Sequence, residues 1–193
     1  MEKIVKNGIY ETKKMRVEIG KEVVSKLFKP TRNSNLRYNR EKKSLQRLSG
    51  LNHFPQLIEF NDKTKLIKMT ALPGDRPDNL SEIQVELLRT MFEDMLAMGV
   101  ARHALPIRDL LSTNDQQLEM VDFERVTIKH FQYSIIWFIA KRVSYYHLYR
   151  LINQYQPQLL SEPERQFLSK VDKIRTVLQV IKPLRHPLRL LAK

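Results

Sequence analysis

Two carboxylates thirteen residues apart, Asp109 and Asp122, are the side chains of this sequence best placed for chemistry. They flank the hairpin of a stretch, Met98–Val126, that reads as a helix end at Gly99, a loop and then a short β-hairpin. Leu110–Ser112 forms one arm, Thr113–Gln116 the polar turn and Gln117–Val121 the second arm. A hairpin returns its chain to where it began, so its two ends lie close together. Asp109 and Asp122 are therefore expected to converge on one cation. Converging acidic oxygens suit Mg²⁺ bound together with phosphates.

Two earlier residues stand out by their surroundings. Lys26 lies in VVSKLF, apolar on both sides. On pattern alone it is either a surface lysine alternating out of a strand or a cation turned inward. Glu41 shares a helical face with Tyr38, Leu45 and Leu48, which puts a carboxylate on an apolar stripe. An unpaired buried charge is costly. Glu41 is thus either at the stripe's edge, solvated or paired with Arg37, Lys42 or Lys43, or it meets Lys26.

In order and spacing, this set resembles the catalytic segment of the protein-kinase-like superfamily. More narrowly, it resembles the small bacterial group that includes the lipopolysaccharide core (Kdo and heptose) kinases. Kinases carry a catalytic loop H-R-D-x-x-x-x-N followed by a D-F-G metal site. Here Asp122-Phe123-Glu124 stands at D-F-G, and Asp109 stands at the metal-binding Asn. The catalytic Asp position falls on Ala104, within Arg102-His103-Ala104. The G-x-G-x-x-G phosphate loop is absent, with only Gly8 near its place.

The resemblance covers residues 20–126 by motif and the rest by helical character. It implies an α+β, two-lobed protein-kinase-like fold: a small antiparallel sheet plus one helix, then a reduced, mainly helical lobe. It implies that Lys26 contacts nucleotide phosphates, that Glu41 orients Lys26, and that Asp109 and Asp122 hold Mg²⁺. Backbone groups near Met69 and Ala71 would face an adenine ring, with ATP as phosphoryl donor. The base is missing at Ala104; His103 or a group of the substrate is left to take the proton. The implied acceptor is a saccharide, in particular a lipid-linked saccharide core at the cytoplasmic face of a bacterial inner membrane. Ala104 also opens an alternative, a catalytically impaired pseudokinase that serves as a binding or regulatory protein. The balance leans towards an enzyme.

The elements that must position these residues follow from local pattern. Ile4–Ile9, Lys14–Ile19 and Glu22–Phe28 read as three short strands, and Asn35–Ser49 as a helix. Leu66–Ala71 reads as another strand after the turn Asn61-Asp62-Lys63-Thr64. These make a first lobe over 1–71, and LPGDRP opens a linker over 72–80. The second lobe, 81–193, begins with a capping box, Ser81 with Gln84, and a helix to Met98 closed by Gly99; the hairpin region spans 99–126. The helix stripe Leu87, Leu88, Met91, Phe92, Met95, Leu96 is core. After Arg125 everything reads as helical, with Ile128–Tyr155 as a buried support helix. Ser161–Glu164 caps a last helix with a seam of Phe167, Val171, Ile174, Leu178 and Ile181.

Charge is unevenly spread. The formal net charge is +13. Residues 1–50 carry 14 Lys/Arg against 5 Asp/Glu, 51–125 carry 8 against 13, and 126–193 carry 12 against 3. An acidic middle between basic ends suits a metal-bearing centre flanked by surfaces for anions: nucleotide phosphates, anionic lipid or RNA. No nucleic-acid motif is present, which disfavours the last of these. The basic, leucine-rich end Lys182–Lys193 is either a solvated terminus or a segment for an anionic membrane surface. The chain has no cysteine, which excludes disulfides and thiolate metal sites and fits a reducing cytoplasm. The five histidines show no H-x-x-x-H spacing, so zinc is not expected. No apolar run is long enough to span a bilayer, and the N-terminus lacks the apolar core of a secretory signal. The expected location is cytoplasmic, or peripheral on the inner membrane.

Overall fold

β-Branched and aromatic residues recur along the first strands, which form one sheet in a computed structural model that describes residues 8–131 and 134–181. The strands are β1 (Ile9–Glu11), β2 (Met15–Ile19) and β3 (Val23–Phe28). Helix α1 (Ser34–Arg47) follows, then β4 (Leu57–Asn61) and β5 (Leu66–Thr70). All pairs are antiparallel, in the order β1-β2-β3-β5-β4. The strand expected at Ile4–Ile9 instead starts at Ile9; residues 1–7 lie outside the described residues. Helix α1 lays Tyr38, Glu41, Ser44 and Leu45 inward, and the Tyr38 ring meets Phe28 edge-on, 5.9 Å between centroids.

The chain then passes through residues 71–81 into α2 (Glu82–Ala97). Gly74 has φ +95, and the backbone of Ser112 lies so near that a β-carbon there would overlap it. Only glycine fits both demands. Next to it, Asp75 and Ser112 exchange two backbone hydrogen bonds of 3.0 and 2.8 Å. The expected capping box is present at Ser81 and Gln84. Its glutamine does more than cap. The Gln84 carbonyl accepts from Ser81 N–H, while its amide donates to Ser112 Oγ, Asn114 O and Gln117 O, holding the hairpin turn against α2. Gly99 ends this segment at φ +75, as expected.

Beyond α2 come β6 (Val100–Arg102), a 3₁₀ turn at Ile107–Asp109, β7 (Leu110–Leu111), β8 (Glu119–Met120) and β9 (Val126–Ile128). Strands β7 and β8 make the expected hairpin. Strands β6 and β9 pair antiparallel, which corrects the reading that everything after Arg125 is helical. Helix α3 (Ile135–Tyr155) starts later than expected, and α4 (Glu162–Ile181) follows a short 3₁₀ turn. The support-helix reading also needs correction. Tyr146, Leu148, Leu151 and Ile152 are buried, but Ile135, Ile136, Phe138 and Ile139 face outward. On α4, Phe167 and Val171 join the core while Ile174 is exposed, so the expected seam is broken there. The basic end Lys182–Lys193 lies outside the described residues.

One buried cluster runs from Phe28 and Ile67 in the sheet, through Leu88, Met91 and Phe92 of α2, to Leu151 and Ile152 of α3. Arg47, in the last turn of α1, adds a polar tie, donating to Gly99 O at 2.8 Å and Lys129 O at 2.7 Å. The double duty of Gln84 yields a prediction. Gln84→Glu keeps an acceptor for Ser81 N–H but turns an oxygen towards three acceptors. It is expected to destabilise the fold by about 1–3 kcal/mol or more in urea unfolding at pH 7, with faster amide exchange in the hairpin turn.

Candidate active site

Lys26 is placed by register. It pairs with Val17 on β2 and Ile67 on β5 in the middle of the sheet, on the face that α1 covers, and it is buried. Its ammonium lies 3.2 Å from Glu41 Oε2 and 2.7 Å from Asp122 Oδ1. The inward alternative for Lys26 is therefore the one the fold adopts, and Glu41 meets Lys26 rather than a neighbour on its own helix. Burial opposes charge on Lys26, but Asp122 and Glu41 outweigh it and hold the ammonium above its ordinary range. Burial pushes the Glu41 carboxyl up to about 7, against the pull of Lys26 and with help from the negative charge of Asp122. Glu41 Oε2 has no aligned hydrogen bond, so its partner is the neighbouring charge alone.

Asp122 reaches Lys26 from a backbone at φ +69, a left-handed conformation that aspartate tolerates better than most residues. Phe123, next in the chain, is fully buried; its ring packs on Phe54 and under the Arg102 guanidinium. That anchor fixes where Asp122 points. Asp109 sits across the hairpin, and Val121 N–H donates to the Asp109 carbonyl at 2.9 Å, so the two ends of the hairpin do converge. Arg102 is buried and clamps the assembly. It donates to Asp109 Oδ2 at 2.7 Å, Val121 O at 3.0 Å and Ala104 O at 3.2 Å.

Asp109, Asp122 and Ala104 line a cavity of about 1230 Å³. Thr12, Lys13 and Lys14, in the β1–β2 turn, form one rim, where Thr12 Oγ1 accepts from Lys14 and Met15 N–H in place of a glycine-rich loop. Arg37, Arg108 and Arg125 stand around the middle, and His147, Arg150, Gln154 and Tyr155 of α3 form the far wall. Cations thus outnumber the carboxylates of Asp109, Asp122 and Glu124, which favours a phosphate-rich occupant. Lys26 and Glu41 lie behind Asp122, off the wall.

Other expected residues are placed elsewhere. Met69 is packed in the core, and Ala71 N–H donates to Glu22 O at 2.8 Å; neither lines this cavity. His103 is hydrogen-bonded through Nε2 to Thr127 Oγ1 at 2.6 Å and is also off the wall. Burial, with Arg40 and Arg125, lowers its pKa. His147 is the residue that sequence reading missed. Burial, with Arg175 and Arg150, pushes its pKa down to about 4, so it faces the cavity as a neutral base at pH 7. Nothing in the motif spacing marks it, because it arrives from a different helix.

Among the described residues no three His, Cys, Asp or Glu side chains group to hold an ion. A carboxylate pair open to a cavity rimmed by cations is nonetheless a donor set that suits Mg²⁺, which takes one or two carboxylates and completes its shell from phosphates and water.

No protein-family model matches the chain, and no curated protein matches it. Solved structures do match. One is WbdD with the kinase inhibitor LY294002, at TM-score 0.54 and 15% identity, covering 77% of this chain and 38% of that one. The fold is protein-kinase-like. A second WbdD structure, with an ordered C-terminal bundle, matches at TM-score 0.53 and 14% identity over 83% of this chain and 38% of that one. A third, at 2.2 Å, matches at TM-score 0.50 and 15% identity over 83% and 43%. WbdD is described as a bifunctional kinase-methyltransferase. The present chain spans about two fifths of those chains, and at such identity the likeness establishes the fold.

The buried triad carries a prediction with a definite sign. Glu41 binds its proton more tightly folded than unfolded, so between its ordinary value of 4.5 and about 7 stability falls as pH rises, and above that the fall stops. Lys26→Met removes the cation, so the folded pKa of Glu41 climbs further and the fall continues above pH 7. The variant is expected to lose about 3–5 kcal/mol at pH 8 and clearly less at pH 5, measured by denaturant unfolding at both.

Proposed function

We propose that this protein is an ATP-dependent phosphotransferase of kinase-like type, acting with Mg²⁺ on a saccharide acceptor. The observation that carries the reading is Lys26 held between Glu41 and Asp122 at 3.2 and 2.7 Å, directly behind a basic cavity that also receives Asp109. Phosphoryl transfer depends mainly on positioning and on neutralising charge, and this arrangement supplies both. Lys26, charged and buried, fixes Asp122. Arg102 fixes Asp109. Lys13, Lys14 and Arg108 attract and orient phosphate groups at the rim. Mg²⁺ held by Asp109 and Asp122 would supply neutralisation of the phosphate oxygens.

The proton of the acceptor hydroxyl needs somewhere to go, since Ala104 offers no base. His147 faces the same cavity, but the burial and the arginines that keep it neutral also oppose its taking up a proton, so the proton is left to a group of the substrate. The acceptor class rests on the resemblance to lipopolysaccharide core kinases, which points to a lipid-linked saccharide at a cytoplasmic membrane face. A second reading, a pseudokinase that binds nucleotide and regulates a partner, is favoured by one feature, Ala104 itself.

Thermal melting with ATP, with and without Mg²⁺, tests nucleotide binding; a ligand specific to the folded state raises Tm by mass action. The expected result is a Mg²⁺-dependent rise in the original chain that Asp122→Asn removes. No rise at millimolar ATP in a folded sample would eliminate both readings. Turnover of labelled ATP separates them. Loss of turnover in Asp122→Asn marks an enzyme, whereas a gain in Ala104→Asp within about 10²–10⁴-fold marks a site short only of its base.

A further inference from the structure

Helix α3 has two unlike halves. Its second half lines the cavity and fills the core. Its first two turns present Ile135, Ile136, Phe138 and Ile139 to solvent at 76, 71, 54 and 55% exposure, and Phe131 just before them is 77% exposed. Only Trp137 and Ala140 turn inward there, onto Leu96 and Ala101. A shallow groove of about 390 Å³ connects Phe131 and Ile136 to Leu36, Arg40 and Lys43 of α1. Leu36 is also largely exposed, which extends the apolar surface across two helices. Folded chains seldom leave so many large apolar side chains together in water unless something covers them.

The charges around this patch say what covers it. From Arg125 to Ser161 the sequence contains no Asp or Glu; Arg125 and Arg150 face the cavity, and Lys129, Lys141 and Arg142 are the basic residues of the stretch that flank the patch. Arg142 is exposed and its guanidinium lies 4.8 Å from the centre of the Phe138 ring. Lys43 is exposed beside Leu36. Interfaces between proteins exclude lysine from their apolar centres. At a bilayer surface the same combination is favourable, because apolar side chains enter the acyl boundary while Lys and Arg stems reach back to phosphate headgroups. No helix among the described residues is long and apolar enough to cross a membrane. The helix therefore lies on a bilayer rather than through it.

We propose that Phe131 and the first two turns of α3 dock this protein on an anionic lipid surface, with Lys43 and Arg142 at the headgroups. The proposal stands apart from nucleotide chemistry. Asp122→Asn, which should abolish the response to ATP, is expected to leave docking unchanged.

The test is sedimentation of the full chain with vesicles of phosphatidylglycerol and phosphatidylcholine, against vesicles of phosphatidylcholine alone. Binding is expected to require the anionic lipid and to weaken as salt is raised. The double variant Ile135→Ser, Ile139→Ser should weaken it by roughly tenfold or more, and Arg142→Ala by a smaller factor. These side chains are exposed, so an unchanged Tm verifies that the variants fold. Three results would overturn the proposal. One is the absence of binding to anionic vesicles. Another is binding that the isoleucine variants leave intact, which would place the contact elsewhere in the chain. The third is a dimer in sedimentation equilibrium that the double variant disperses, which would make a second copy the occupant.

Discussion

A lysine buried in the middle of a small sheet is the constraint that the rest of this molecule answers. Taking an ammonium out of water costs several kcal/mol unless opposite charge meets it at close range. Here two carboxylates do so from distant parts of the chain. Glu41 comes from α1, and Asp122 comes from the far side of the hairpin, 96 residues after Lys26. Neither can retreat without stranding Lys26. The register of β3, the rotation of α1 and the entry of the hairpin are coupled through one point charge. This is a strong reason for sheet and hairpin to hold a single relative position.

Around that point the electrostatics are graded. Behind the wall, Lys26 and Glu41 are locked together at 3.2 Å. On the wall, Asp109 and Asp122 are held by cations from behind and face a space rimmed by further cations. Such a gradient would suit a polyanion and would leave the carboxylates where its charge is densest. The departure at Ala104 changes the chemistry without changing this frame, since Ala104 contributes only its carbonyl, an acceptor for Arg102.

Much of this was legible in the sequence where one local rule decided the outcome. The hairpin between Asp109 and Asp122, the capping box at Ser81 and the terminating Gly99 each rest on a few adjacent residues, and each is found as read. The α+β, kinase-like architecture followed from motif order and is matched by solved structures. The misreadings share a cause. Val126-Thr127-Ile128 has the β-branched content of a strand, but it is three residues long and runs into a long apolar stretch, so periodicity over a wider window hid it. The outward face of early α3 was read as core because apolar residues were equated with buried ones, and only the packing reveals which face has a neighbour. His147 was invisible as a site member for a different reason: it arrives from another helix, and no spacing rule spans that distance. Arg102 was read within the loop triplet, but its burial and its bonds to Asp109, Val121 and Ala104 emerge only from the fold.

The two ties described earlier, Asp75 to Ser112 and Arg47 to the carbonyls of Gly99 and Lys129, have a consequence for traffic. Each fastens the sheet side of the molecule, or the segment leading from it, to the helical side. A jaw-like opening between the two would have to strip one tie or the other, and the continuous core with it. At the β1–β2 turn the wall rests on a short element: β1 is three residues long, lies at the sheet's edge and, among the described residues, has β2 as its strand partner, with Glu11 paired to Lys29. Short edge elements open at far lower free energy than core strands. If this turn is the first part of the wall to lift, the residence time of an occupant would follow the stability of a short edge strand rather than the motion of whole lobes.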